Sequence, residues 1–322
     1  MPERDGASTP GGAGPSATAN GSSPVQAKPG RHREATLYHA LAGAGAGDGR
    51  SLAELREAAR AAFDTLELPV WRRSGFWTTS LQSLDLDALK LADDPDDEEP
   101  ECSTVPDVVR RTLPDRARAG RIVQNGWAVV HVELDPELQS KGVILCSLED
   151  AFREHPELVA PWFSKRLTID RNKLEAANAA FWKAGAFLHV PAGVVVDEPF
   201  EIVYAIDSPG IAQYGRTLVL GGATSEFRVH EYDLAEDFEG QALHAGAFEL
   251  YLQDGARCRL AQLQDWGSGE VFDLSTRFVG VGRDAYCHWL PALLGGHLVR
   301  QHLELAVSEP GGDMAFRGLF FT

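Results

Sequence analysis

Four stretches in the last third of the chain share one layout: an apolar run, a small or glycine-bearing turn, and an alanine opening a second strand-like run. They read Leu218-Val219-Leu220-Gly221-Gly222-Ala223, Leu250-Tyr251-Leu252-Gln253-Asp254-Gly255-Ala256, Val279-Gly280-Val281-Gly282-Arg283-Asp284-Ala285 and Leu305-Ala306-Val307 with Ala315 after a longer turn. The marker alanines are 33, 29 and 30 residues apart. A repeat of this length, made of strands and turns, predicts a mainly β fold of stacked coils, a right-handed parallel β-helix. One coil cannot bury its own apolar face, so stacking makes the core and gives the body a long axis. The competing arrangement is a run of antiparallel hairpins. A body of stacked coils suits a scaffold or binding surface better than a deep single pocket.

Ahead of the repeat the pattern is mixed. Residues 1–50 are rich in Ala, Gly, Ser and Pro with few large apolar residues, and the expectation there is a disordered tail. The span 51–169 reads as a helical and α+β region. Ser51 and Glu54 form a capping-box pattern, and Leu52, Leu55, Ala59, Ala62, Phe63 and Leu66 make one helical face that Pro69 closes. The segment Asp93–Glu101 holds seven acids and two prolines, the composition of a solvated loop. Arg121 to Val132 and Gly142 to Leu148 are strand-like. Helices are expected over 148–154, over 156–166, and from an Asp170 N-cap to about Lys183. Residues 170–322 form the expected β-helix core. The chain stops inside the fourth apolar run, and nothing after Gly318 resembles the polar cap a solenoid end needs, so a truncated chain or a covering partner is expected.

The bulk numbers exclude several classes. A formal net charge of −17 argues against attraction to nucleic acid or anionic membrane. No apolar stretch approaches the roughly 18 residues of a membrane span, and no secretory signal pattern opens the chain. The four cysteines, Cys102, Cys146, Cys258 and Cys287, form no C-x-x-C pair, which points to a reducing, cytoplasmic setting rather than a disulfide framework or zinc knuckle.

Several ordered segments carry a family resemblance. Asn178-Ala179-Ala180-Phe181 and Gly185-Ala186-Phe187-Leu188-His189-Val190-Pro191-Ala192-Gly193-Val194 lead into Glu198-Pro199-Phe200-Glu201-Ile202. Arg216-Thr217-Leu218-Val219-Leu220, His230-Glu231 and Gln264-Asp265-Trp266 follow, and Leu68-Pro69 with Trp77-Thr78-Thr79-Ser80-Leu81 precede. Together, over residues 51–322, they resemble the SufB/SufD family, the β-helical scaffold proteins of SUF iron–sulfur cluster assembly. The resemblance implies a non-enzymatic subunit, cytoplasmic, that joins a SufB-like paralogue and a SufC-like ATPase. It implies no stably bound cofactor, only a transient iron–sulfur cluster at the level of the complex. In the SufB branch a sulfur-accepting cysteine follows the strand-pair Glu by two residues; that place is Asp233 here, and an Arg typical of SufB is replaced by Ala205. Both departures make the chain most similar to the SufD branch. Family members continue beyond residue 322 with further coils, a cluster-site histidine and a helical segment that docks the ATPase, so those roles fall on no residue of this chain.

Candidate chemistry is sparse. Cys258 and Cys287 each lie two residues after a marker alanine, so the repeat stacks them about 4.8 Å apart on successive coils, facing inward. Such a pair can hold sulfur or metal, or it can be a column of small buried hydrophobes. Arg317 takes the same nominal place in the fourth coil. Gln264 and Trp266 match the element that the resemblance places along an internal passage; as residues alone they read as a satisfied buried amide and a packing ring. His288, His297 and His302 are possible iron ligands, with His288 the weak metal candidate. Five residues put His297 and His302 on opposite strand faces, which favours surface histidines. No phosphate-binding G-x-x-x-x-G-K-[ST] loop or G-x-S-x-G elbow is present. Two other functions remain open at this level: a β-helical polysaccharide-processing enzyme and a cupin-like metal-binding protein. The first sits poorly with the missing export signal, the second with the missing His-x-His.

Overall fold

The computed structural model describes residues 50–73, 77–79, 81–91, 104–113 and 115–321. The expected tail, up to residue 49, and the acidic segment 93–101 lie outside these residues, as does Cys102. Helix α1 (Leu52–Thr65) starts with the predicted capping box: the Ser51 hydroxyl accepts from the Glu54 N–H, and Glu54 accepts from the Ser51 N–H at 2.8 Å. After the small hairpin β1 (Trp71–Arg73) and β2 (Trp77–Thr79) comes α2 (Asp107–Thr112), then the hairpin β3 (Gly120–Asn125) and β4 (Ala128–Leu134). Next in order are α3 (Pro136–Ser140), β5 (Ile144–Cys146), α4 (Leu148–Glu154), α5 (Pro156–Val159) and α6 (Lys173–Phe181).

Two of these helices differ from expectation for local reasons. Helix α5 ends at Val159 rather than near Arg166: Ala160 keeps helical geometry, but Pro161 has no N–H to donate to the Glu157 carbonyl, which interrupts the helical ladder there. Helix α6 is capped by Asn172 rather than Asp170: the Asn172 side-chain oxygen accepts from the N–H groups of Leu174 and Glu175.

The remainder winds into a parallel β-solenoid of about five turns. The first sheet stacks β3, β7 (Val195–Ile206), β10 (Glu226–Ala235), β13 (Arg257–Asp265), β15 (Tyr286–Leu293) and β17 (Asp313–Phe316), with β18 (Leu319–Phe320) also on β15. The second stacks β6 (Ala186–Val190), β9 (Arg216–Gly221), β12 (Ala247–Leu252), β14 (Glu270–Val281) and β16 (Leu298–Val307). Two short strands, β8 (Ala212–Gln213) and β11 (Gln241–His244), widen this sheet beside β14. Each neighbour pair within the coils is parallel, which removes both the hairpin and the cupin alternatives.

Alternation decides which side chains enter the core. Leu188, Val219, Leu250, Val279 and Leu305 occupy one register column of the second sheet, and Phe200, Val229, Leu260 and Trp289 one column of the first. The buried members of both columns belong to one apolar cluster, and the exposed Leu305 ends the second-sheet column. The outer face of the second sheet is covered by α1, α4, α6 and the segment after α5, which bury Phe187, Leu218 and Phe278. With both faces buried, β9 and β12 are buried at every position instead of at alternate ones. Among the described residues, no helix is long and apolar enough to cross a membrane.

The repeat is real but its marker is not the alanine. Ala256 and Ala285 are in register, since Tyr286 N–H donates to the Ala256 carbonyl just as Arg257 N–H donates to that of Ser225. Ala223 therefore lies two residues early, and Ala315 pairs with His288 inside a strand. The position that does recur is left-handed: Gly193, Thr224, Gly255, Asp284 and Gly311 have φ of 75°, 59°, 71°, 53° and 73°. In each of the first four, the N–H donates to the residue just before the next left-handed one: to Ala223, Asp254, Arg283 and Pro310 in turn. The inter-coil ladder thus continues through the corner.

Candidate functional site

The four interior candidates, Cys258, Cys287, Gln264 and Trp266, all lie between the two sheets with no solvent exposure. Cys258 pairs in register with Cys287, on the inward side of β13 and β15. The next residue of this column is Met314, not Arg317, because Ala315 lies three residues past the position equivalent to Ala285, which Gly312 occupies in the last coil. An apolar thioether on top of two thiols keeps the column dry. Burial pushes the Cys258 thiol well up, and its hydrogen bond and proximity to Cys287 add to this. A thiol held protonated is a poor nucleophile and a poor metal ligand.

Gln264 is satisfied at both ends: its amide donates to the Gly295 carbonyl at 2.8 Å and its oxygen accepts from Leu294 N–H at 3.1 Å. It ties the end of β13 to the turn after β15. Trp266 Nε1 donates to Asp273 Oδ2 at 3.1 Å, and its ring packs 5.0 Å from that of His244. These contacts make both residues structural connectors between coils. The three histidines do not converge. His288 sits half-buried on the outer face of the first sheet, His302 is exposed on the second, and His297 packs against Phe272 outside both strands. Among the described residues, no group of three or more His, Cys, Asp or Glu is placed to hold a metal ion.

What sequence reasoning missed is a charged core. Arg277, Val279 and Val281 share a face of β14, as do Val229, Glu231 and Asp233 of β10, so period two alone sends all three charges inside. Arg277 Nη1 and Nη2 grip Glu231 at 2.8 and 2.7 Å, and Nη2 lies 3.5 Å from Asp233 Oδ2. Gln262, one coil on, donates to Asp233 Oδ2 at 2.9 Å. Asp273 accepts from the Ser275 hydroxyl and from Trp266. Burial works against the Arg277 charge, but Glu231, Asp233 and Asp273 hold the guanidinium protonated. Burial pushes the Asp233 carboxyl well above its ordinary range, helped by the charge of Glu231, and raises Asp273 as well. His244, whose Nδ1–H donates to Gln213 Oε1 at 2.8 Å, is driven down to about 3 by burial and by the nearby Arg277. One full ion pair and two carboxyls biased toward the neutral form fill this part of the interior.

A second network ties the helices to the coils. Arg216 donates to Asn178 Oδ1 (3.0 Å), Ser164 Oγ (2.9 Å) and Glu249 Oε2 (2.8 Å), and lies over the Phe163 ring. Glu249 further accepts from the Ser164 and Arg166 N–H groups and from the Tyr251 hydroxyl. Asn178, at the start of the recognised motif, donates to the Gly215 and Ala245 carbonyls of two successive coils. The motif residues are thus the clamp that holds α6 on the solenoid.

Comparison with known proteins agrees with this architecture. The family model described as SufBD protein N-terminal region matches residues 45–202, and that of the SUF system FeS cluster assembly, SufBD core domain, matches residues 204–322. Among curated proteins, an iron–sulfur cluster assembly SufBD family protein of Staphylococcus saprophyticus is 27% identical over 255 residues, covering 76% of this chain and 55% of the relative. One of Staphylococcus epidermidis is 27% identical over 235 residues, 70% of this chain and 50% of its own. One of Staphylococcus haemolyticus is 28% identical over 206 residues, 62% and 44% respectively. The chain spans about half the length of the curated relatives it matches.

Proposed function

The chain belongs to the SufBD family of iron–sulfur cluster assembly proteins, and from that premise we propose that it acts as a non-catalytic, SufD-like scaffold subunit. In this reading it works in the cytoplasm beside a SufB-like paralogue and a SufC-like ATPase, and any cluster is a transient of the assembled complex. The observation that carries the proposal is Asp233. A carboxyl pinned by Gln262 and Arg277 stands where the SufB pattern calls for the sulfur-accepting thiol, and a carboxylate cannot carry a persulfide. The interior thiols give no substitute, because Cys258 is buried and pushed toward the protonated form. What the chain offers a partner is shape: a stiff stack of coils, with helices clamped to one side, presents large fixed surfaces without spending interface energy on ordering itself.

The test is co-expression of the full-length host protein with its SufB-like and SufC-like neighbours, followed by affinity isolation and identification of each subunit. Recovery of a stable three-component complex is expected. Isolation of the protein without either neighbour overturns the scaffold reading. Persulfide on this subunit after incubation with a cysteine desulfurase overturns the SufD-like assignment.

A further inference from the structure

The outer face of the first sheet is only partly covered. Helix α2 lies along β10: Glu236, just past the end of β10, accepts the Val108 N–H at the helix start, and beyond the helix Arg116 donates to His230 Nδ1 and to the Tyr232 hydroxyl. Val108, Val109 and Leu113 bury Val203, Tyr232 and Leu234 there. Because Cys258 and Leu260 point inward, Arg257, Arg259, Ala261 and Leu263 point outward, and the register places Tyr286, His288, Leu290 and Ala292 beside them. The row from Val203 and Tyr232 continues through Leu263 and Ala292 to Leu319, past the reach of α2. Leu290 is 49% exposed and Leu319 51%. We propose that this face takes an amphipathic helix of a partner protein, lying beside α2 over β13 and β15, with acidic residues in its last turn. The inference rests on the solenoid alone, not on the assembly role.

Spacing and charge both point to that occupant. Helix α2 covers β7 and β10, and β13 and β15 lie two strands further on, about 10 Å away at about 4.8 Å per strand. Packed helix axes lie about 8–10 Å apart, so the open strip is one helix wide. A coil stacked on β18 would pair with its edge and leave this outward face open. The charges are sorted along the strip. Over β13, β15 and β17 the outward charges at one end are Arg257, Arg259 and Arg317 against Asp313, and none of these arginines has an ion-pair partner among the described residues. The flanking Glu226 and Arg228 of β10 cancel, and Asp265 is the outward charge at the far end. A helix running as α2 does, with its N-terminus at Asp265 and carboxylates in its last turn at Arg257 and Arg259, matches both ends, and its own dipole adds to the match. An anionic membrane fits worse. The chain carries −17 overall, and a flat lipid surface would meet its acidic remainder as well, whereas a helix on the strip meets mainly the charges within a Debye length, about 10 Å at 0.1 M salt.

The probe is a designed helical peptide of roughly 14 residues, with leucines at i, i+3, i+4 and i+7 and glutamates in its last turn, beside a counterpart with lysines in place of the glutamates. Fluorescence anisotropy follows both against the full-length host protein. Saturable binding of the acidic peptide is expected, with the lysine peptide about tenfold weaker. Arg259→Glu should weaken the acidic peptide about tenfold and strengthen the lysine peptide, a reversal that a folding defect does not produce. Leu290→Asp should weaken binding of the acidic peptide. Leu290→Cys reports on the face itself: iodoacetamide should label position 290 in the free protein, read by peptide mass mapping, and the acidic peptide should slow that labelling. Absence of labelling at position 290 in the free full-length protein would mean that the chain covers this face itself, and overturns the proposal. Equal affinities for the two peptides, or binding indifferent to both Arg259 and Leu290, also overturn it. So does self-association in sedimentation that Leu290→Asp abolishes, which makes a second copy the occupant, or protection of position 290 by phosphatidylserine vesicles but not by the acidic peptide.

Discussion

Arg277 and Glu231 meet inside the solenoid as a two-point guanidinium–carboxylate pair, Nη1 to Oε2 at 2.8 Å and Nη2 to Oε1 at 2.7 Å. They come from opposite sheets, so the pair bridges the two walls of the core. Both side chains are about 2% exposed. A buried pair of this kind contributes little net stability against a well-packed apolar substitute, yet breaking it strands a charge.

Replacement of Arg277 by Met should therefore destabilise the chain by about 3–5 kcal/mol, because Glu231 is left buried without its partner. The double replacement Arg277→Met with Glu231→Gln should recover a large part of that loss. Urea denaturation of the four proteins of this cycle measures the coupling. Single-variant losses that simply add in the double variant would show that the pair is not coupled.

The carboxyl of Asp233 gives the opposite sign. Its folded pKa is raised, so the folded chain holds a proton that the unfolded chain releases. The stabilisation is complete below the unfolded value near 3.9 and is lost as pH climbs through the raised folded value. Asp233→Asn, neutral at every pH, should flatten this part of the stability profile. It should equal or exceed the wild type in stability at pH 8, measured by denaturant midpoint. A variant that is less stable at pH 8 and unchanged in pH slope would refute the protonated carboxyl.

His244 works on the acid side. With a folded pKa of about 3 against an unfolded value near 6.5, the neutral ring stabilises the folded state fully above 6.5. That contribution disappears progressively as pH falls from 6.5 toward 3, up to about 5 kcal/mol in all. His244→Gln should lose less stability than the wild type between pH 7 and pH 4. Thermal melts at half-unit pH steps make the comparison.

Much of this core was legible in the sequence. The apolar runs Val219–Leu220, Leu250–Leu252 and Val279–Val281 stack because period-two patterning and burial point the same way. The inward column of Cys258 and Cys287 follows from their shared distance to Ala256 and Ala285, two positions whose register does hold. The alanine marker misled elsewhere because it tracks composition, whereas the coil corner is set by backbone conformation. Thr224 and Asp284 adopt the left-handed geometry without being glycine, so no residue type marks all five corners. Arg277, Glu231 and Asp233 were hidden for another reason. Charged residues read as surface, and only strict counting along β10 and β14 turns them inward. The Asn172 cap lost to Asp170 in the sequence because both are good capping residues two positions apart, and tertiary packing of α6 chooses between them.

Thiol chemistry tests the dry column. Cys258 and Cys287 are fully buried, so a thiol reagent should leave both unmodified in the native protein and react with them on denaturation. Peptide mass mapping after a timed pulse of iodoacetamide separates these from Cys146, which is partly accessible. Native-state labelling of Cys258 at the rate of a free thiol would mean that the interior opens, and would reinstate the pair as candidate sulfur carriers.

The corner geometry gives a prediction in which stability rises. Thr224 has φ of 59°, a conformation that costs a branched residue about 1–2 kcal/mol. Glycine removes that cost, though its freer unfolded chain returns about 0.5–1 kcal/mol of it, and the exposed hydrogen bond from Thr224 Oγ1 to the Ala223 carbonyl is lost. Thr224→Gly should therefore stabilise by a few tenths of a kcal/mol up to about 1. Gly193, the equivalent corner one coil earlier, has φ of 75° and open space where a Cβ would go. Gly193→Ala should cost about 1 kcal/mol from backbone strain alone, with no steric share. Urea midpoints of the two variants should move in opposite directions; movement in the same direction would mean that the corners are not held left-handed by the inter-coil ladder from Gly193 to Ala223 and from Thr224 to Asp254.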